Sequence, residues 1–274
     1  MTVGEIIRAI KEKSGADVSP QAGDRLICGS EQASVSKIAT TFMATSEVIE
    51  QASKEGVDLI ITHEPTYFTG PDRLDWLTED PVYQEKQKLL DRTEINIWRF
   101  HDYMHLAKEG DLICRGMFQK LGWKWDKQNI IGEGAGFKRF SADIPPVSLR
   151  ELTASLKELF GLPALRVIGD PDLVCRRAGL LPGGVCTFLD YEELPMEAME
   201  EERLDVILCG DILEWTIPSY VRDAAQMGMP RAMIILGHDR SEEAGMKHII
   251  PWLQPLAPEI PIIFLESGDP FLYL

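Results

Sequence analysis

Short apolar runs of strand length alternate with helix-length amphipathic segments along most of this chain, and that alternation confines it to a layered α/β architecture. Strand-like runs fall at 25–28, 37–42, 57–62, 95–100, 137–142, 165–168, 174–181, 205–209, 232–236 and 261–265. Helical patterns fall at 3–13, 46–54, 81–91, 111–121, 148–159, 218–226 and 241–253. Strands separated by helices of about ten residues pair largely in parallel. The expected fold class is therefore α/β, with a largely parallel sheet that is mixed at some edges. A length of 274 residues accommodates one large domain or two smaller ones.

Two glycine-rich stretches interrupt the pattern. Gly132, Gly134 and Gly136 are spaced like a dinucleotide loop, but Phe137-Lys138-Arg139-Phe140 continues as a strand. No helix N-terminus would then face a phosphate, so the stretch reads as a linker or turn. Pro182-Gly183-Gly184 closes a strand and reads as a turn.

Charge and cysteine usage exclude several functions. Lysine and arginine number 28 against 44 aspartates and glutamates, a net charge of −16 without a basic cluster. Nucleic-acid affinity comes mainly from neutralising phosphates, so no nucleic-acid partner is expected. The apolar runs are far shorter than the ~20 residues of a membrane span, and residues 1–15 lack the pattern of a secretory signal. Cys28, Cys114, Cys175, Cys186 and Cys209 are widely spaced and include no C-x-x-C, which argues against a disulfide framework or a thiolate zinc site. The expected compartment is the cytoplasm.

The histidines carry the chemistry. There are five, and four of them lie where an apolar run breaks into polar residues: VDLIIT-His63-Glu64-Pro65, INIWRF-His101-Asp102-Tyr103-Met104-His105 and RAMIILG-His238-Asp239. Open α/β sheets collect ligands at the carboxyl ends of their strands. Imidazole and carboxylate together suit zinc, iron, manganese or nickel. His101/His105 and His238/Glu242 are i,i+4 pairs, so a helical turn would place each pair on one side. His248, inside the 241–253 pattern, reads as a partly exposed helix residue. No G-x-S-x-G elbow, Walker loop or H-E-x-x-H is present.

At these residues the sequence resembles the NIF-three-like family (NGG-interacting factor three-like), whose members often carry the name GTP cyclohydrolase 1 type 2. The family's strand ending in Thr-His-His-Pro stands here as Thr62-His63-Glu64-Pro65. Its strand ending in His with an Asp four residues later stands as His101 and His105. Its Gly-His with Glu four residues on is Gly237-His238 and Glu242. Weaker echoes are Cys209-Gly210-Asp211 and Val167–Pro171. Two departures matter: Glu64 replaces the usual His, and His105 replaces the usual Asp. Together they conserve one imidazole and one carboxylate, with Asp102 a rival for the carboxylate position.

The resemblance implies two α/β domains, the second inserted into the first, with a metal cleft between them. The boundaries drawn on this basis are 1–132 plus 237–274 for the metal-site domain and 136–236 for the insert. It also implies two divalent metal ions, held by His63, Glu64, His105, His238 and Glu242, with His101 in or beside the ligand set. A homo-oligomer is expected, a hexamer or a dimer-based ring. The function read from this is a metal-dependent hydrolase acting on phosphoester, nucleotide-like or cyclic amide small molecules, with His101 or Asp102 handling the proton. The alternative is a non-enzymatic metal-binding assembly or regulatory protein.

Overall fold

The computed structural model describes residues 1–19, 23–124, 140–187, 189 and 192–274. In chain order its first elements are α1 (Val3–Ser14), β1 (Leu26–Cys28), β2 (Ile38–Thr41), α2 (Ser46–Lys54), β3 (Leu59–Thr62), α3 (Pro81–Thr93), β4 (Asn96–Arg99), α4 (Asp102–His105) and α5 (Leu112–Leu121). There follow β5 (Phe140–Ser148), α6 (Leu149–Phe160), β6 (Arg166–Ile168), β7 (Val174–Leu181), α7 (Leu194–Glu201), β8 (Val206–Cys209), α8 (Ile217–Gln226), β9 (Ala232–Ile235), α9 (His238–His248), α10 (Ile250–Leu253) and β10 (Ile262–Phe264). The glycine stretch at 131–136 and the start of the strand expected at 137 lie outside the described residues.

The chain divides into two compact units, Met1–Gly116 with Glu243–Gly268 and Met117–Glu242 with Asp269–Leu274. Each contains one five-stranded mixed sheet. In the first the order is β1-β4-β3-β2-β10, parallel throughout except for the antiparallel edge strand β1. In the second it is β5-β7-β8-β9-β6, with β7, β8 and β9 parallel and both edges antiparallel. The expected α/β class with largely parallel, edge-mixed sheets is what the chain adopts.

The first sheet is buried on both faces because side chains alternate along a strand. Leu59 and Ile61 join Trp98 and Phe100 in a core closed by Ile6 and Ile10 of α1 and Met246 and Ile249 of the C-terminal segment. Ile60 and Ile97 face the other way, against Val48 and Ile49 of α2 and Leu89 and Leu90 of α3. This explains why these runs are mostly apolar without alternation: every residue of β2, β3 and β4 is buried, the polar Thr40, Thr41, Thr62, Asn96 and Arg99 included. α1 is fixed at both ends, by a Thr2/Glu5 capping box and by Gly15 in the left-handed region. In the second unit Ile207, Cys209, Met233 and Ile235 pack against Met199 of α7 and Ile217 and Val221 of α8. No helix among the described residues is long and apolar enough to cross a membrane.

Candidate metal-binding residues at the strand ends

β3 and β4 run parallel with Thr62 opposite Arg99, so the residues that follow them leave the sheet side by side. His63 and His101 lie just beyond these ends. Their rings stack with centroids 4.6 Å apart, close to the ~4.8 Å separation of neighbouring strands. After His101 the chain turns through the four-residue helix α4, which ends on His105. The His101 and His105 rings are 4.8 Å apart, and His63 and His105 are 5.0 Å apart. Ring nitrogens of the three histidines lie within 4.8 Å of one another, a grouping that could hold a metal ion.

The hydrogen bonds decide which nitrogen each ring presents. His63 Nδ1 is 3.2 Å from the Phe100 carbonyl. A carbonyl only accepts, so Nδ1 carries the proton and Nε2 the lone pair. His105 Nδ1 is 2.8 Å from Asp111 Oδ2. Asp111 is itself held by the Cys114 N–H at 2.9 Å, at the start of α5. An imidazole whose Nδ1–H is given to a carbonyl or carboxylate is oriented as metal-binding histidines are. α4 owes its position to Asp24, whose two carboxylate oxygens accept the backbone N–H groups of His101 (2.8 Å) and Asp102 (2.7 Å).

Electrostatics favours the ionised form of Asp102 and the neutral form of His101. The hydrogen bond from His101, 3.4 Å away, holds the Asp102 carboxyl well below the usual carboxylate range, and the Gly23 N–H adds to this at 2.8 Å. Burial pushes the His101 imidazole down; Asp102 opposes this, and the neighbouring His63 and His105 reinforce it. Glu64, 9% exposed, lies 3.5 Å from the buried guanidinium of Arg99. Arg99 Nε also donates to the His63 carbonyl at 3.2 Å. One arginine thus restrains both residues of the His63-Glu64 pair.

In the second unit the carboxyl ends of β7, β8 and β9 form one row, with Leu181 opposite Cys209 and Cys209 opposite Ile235. His238 opens α9 just beyond β9, and Glu242 lies one turn later. His238 Nδ1 is 2.7 Å from Asp211 Oδ2, and Nε2 is 3.3 Å from Glu242 Oε2. With the ring neutral, two acceptors face each other across that 3.3 Å. A cation between them resolves the conflict, either a proton on the ring or a metal ion. Behind this pair the backbone closes tightly: a Cβ on Gly183 would stand 2.2 Å from Glu242 Oε1 and 3.0 Å from His238 Nε2. Gly183 has φ +56° and its N–H donates to Ser241 Oγ at 2.9 Å. The turn at Pro182-Gly183-Gly184 is thus the wall against which Glu242 rests.

The structure brings His63, Glu64, His101, Asp102 and His105 together within the first unit, and His238 with Glu242 within the second. His248 ends α9, partly exposed, as expected. The four groups that orient these side chains, Asp24, Arg99, Asp111 and Asp211, are not assigned that role by the sequence. Asp111 had a signal, a capping residue six positions after His105. The Asp24 contact spans 77 residues and leaves no local trace.

Comparison with known proteins adds to this geometry. The sequence model of a family described as Duf34/NIF3 (NGG1p interacting factor 3) matches residues 1–270. A Clostridium acetobutylicum protein named "GTP cyclohydrolase 1 type 2 homolog" is 28% identical over 259 residues, covering 90% of this chain and 89% of the relative. A Clostridium perfringens protein of the same name is 27% identical over 220 residues, with 79% and 77% covered. Among solved structures, Staphylococcus aureus protein SA1388 superposes with a TM-score of 0.74 at 18% identity, covering 100% of this chain and 99% of that one. A Bacillus cereus protein related to NIF3 gives 0.73 at 16% identity with the same coverage. At these identities the structural likeness is one of fold.

Proposed function

The chain belongs to the Duf34/NIF3 (NGG1p interacting factor 3) family, and from that premise we propose that it is a divalent-metal protein that hydrolyses a small phosphoester, nucleotide-like or cyclic amide substrate. The observation that carries this reading is the convergence of His63, His101 and His105, with His63 and His105 each in the tautomer that offers Nε2. The proposed ligands are His63, Glu64, His105, His238 and Glu242. Imidazole nitrogen and carboxylate oxygen suit zinc, iron, manganese or nickel, and the donor set fits such an ion. When bound, a pair of such ions would supply an activated water and stabilise charge on the attacked and leaving oxygens.

The chain's own residues do the rest. His101, neutral and hydrogen-bonded through Nδ1 to ionised Asp102, is placed to take up a proton and pass it on. Arg99, 3.5 Å away, holds the Glu64 carboxylate in place. Asp111 and Asp211 hold the rings of His105 and His238. The name carried by the clostridial relatives speaks for a nucleotide-like substrate. The working form proposed on family likeness is a cytoplasmic homo-oligomer, with 136–236 as a domain inserted between 1–132 and 237–274.

A protonated His238 would satisfy its two carboxylates as well as a metal would, so the test must read metal directly. Protein stripped with chelator and dialysed against zinc, manganese, iron(II) or nickel is expected to retain about two ions per chain. Retention of none at micromolar metal overturns the reading. Metal-loaded protein inert toward phosphoesters and cyclic amides alike would leave a metal-binding protein and remove the hydrolase.

A further inference from the structure

The second unit carries a cavity that the metal-binding residues do not use. Arg166 of the edge strand β6 lies opposite Ile235, and Ile235 lies opposite Cys209. Arg166 therefore extends the row of strand ends from which Asp211 and His238 emerge. With neighbouring strands ~4.8 Å apart, its backbone is roughly 10 Å from that of Cys209. A cavity of about 210 Å³ opens beside this row, its lining including Arg166, Arg222, Ser219 and Glu214 over Ile168 and Ile235.

Two features point to a ligand. Among the described residues neither Arg166 nor Arg222 makes an ion pair, whereas Arg177 and Arg231 of the same unit are engaged by Glu202 at 2.7 Å and Glu200 at 3.0 Å. In a chain of net charge −16, where most of the surface repels anions, two uncommitted guanidiniums on one cavity create a local exception. Their planar forks match the oxygens of a tetrahedral oxyanion, and the Ser219 hydroxyl offers a further donor. Glu214 disfavours a second phosphate and can accept hydrogen bonds from hydroxyls, while the isoleucines suit a carbon skeleton.

We propose that the cavity between β6 and the start of α8 binds the phosphate of a small hydroxylated phosphate monoester. Its role as the anchoring subsite for the substrate of the metal residues rests on the reading above; binding itself does not.

The test is calorimetry on chelator-treated protein at low ionic strength, with ribose 5-phosphate as probe, inorganic phosphate beside it and ribose as the uncharged control. Ribose 5-phosphate and phosphate are expected to bind, and ribose to give no signal. Arg166→Ala and Arg222→Ala should each weaken binding about tenfold, and the double variant should abolish it. Arg150→Ala, a change at an exposed arginine of the same unit, should leave it unaltered. All three arginines are exposed, so melting curves should coincide with wild type. Binding retained by the double variant, weakened equally by Arg150→Ala, or dependent on loaded metal instead of the arginines overturns the inference. Arginine-dependent phosphate binding in a protein that takes up no metal overturns the metal reading and leaves this one standing.

Discussion

The strand ends of the two units hold their histidines in opposite ways. In the first, three imidazoles crowd together, and a backbone carbonyl, Asp111 and Asp102 each take one Nδ1. In the second, one imidazole stands between two carboxylates, and glycine backbone is packed against it. The first arrangement spreads the task of orientation over several side chains. The second concentrates it on one turn with no spare volume. Tolerance to substitution should differ accordingly.

The largest effects are expected at the proposed ligands of the second unit. His238→Ala or Glu242→Ala should lower metal affinity more than the 10- to 100-fold typical of residues that orient a ligand, while His248→Ala should leave it unchanged. Metal content of the purified variants decides this; equal loss in His248→Ala would sink the assignment. Gly183→Ala comes next. Its Cβ would collide with Glu242 and the residue would keep a left-handed φ, at a cost of about 1–3 kcal/mol in stability. Its thermal midpoint and its metal affinity should fall together. A variant that binds metal normally would show that the turn yields, and the contrast between the units would dissolve.

Smaller effects separate the orienting carboxylates. Asp211→Asn and Asp111→Asn should each weaken metal binding by roughly tenfold. The Asp211 change should be the greater, because His238 has one imidazole's worth of support and the first unit has three. Equal losses would remove the distinction. On metal affinity the smallest effect belongs to Lys86, buried with Nζ 2.7 Å from the Thr66 carbonyl, whose contribution is to stability. Burial lowers its pKa from 10.5 to about 8. Between those values the unfolded chain binds the extra proton, so stability should rise with pH from about 8 to 10.5. Lys86→Met should flatten that rise in denaturant titrations; an unchanged slope would assign it to other groups.

Much of this molecule is written locally. Residues 57–62 and 95–100 are mostly apolar because both faces of their strands are covered, with Asp58, Thr62, Asn96 and Arg99 the polar positions, and a run of that kind reads as a parallel strand. α7 has no clear signature in the sequence, since Leu194–Glu201 carries a proline in its first turn and places methionines and glutamates with little periodicity. β5 runs on through Pro145 and Pro146 to Ser148, beyond the expected 142; an edge strand with a register shift tolerates prolines that a central strand would not. α9 begins at His238, one turn before the expected 241. The candidate metal-binding residue types were legible from their position after apolar runs. The residues that aim them were not, because Arg99 reaches back 36 residues to the His63 carbonyl and Asp211 forward 27 to His238.

The tie between Asp24 and α4 has a consequence in time. A helix of four residues cannot persist by itself, so the turn that lifts His101 and His105 from the sheet waits for a carboxylate contributed 77 residues earlier. Contacts of such separation close late in folding. The β2-β3 and β3-β4 pairings, which join Ile38 to Leu59 and Leu59 to Asn96, can therefore form while His101 and His105 are still unordered, and those two imidazoles reach their final places only after the N-terminal segment has docked. In pulsed hydrogen exchange during refolding, the amides of His101 and Asp102 should gain protection after those of β3 and β4, and in Asp24→Ala they should stay open in a sheet that is otherwise complete.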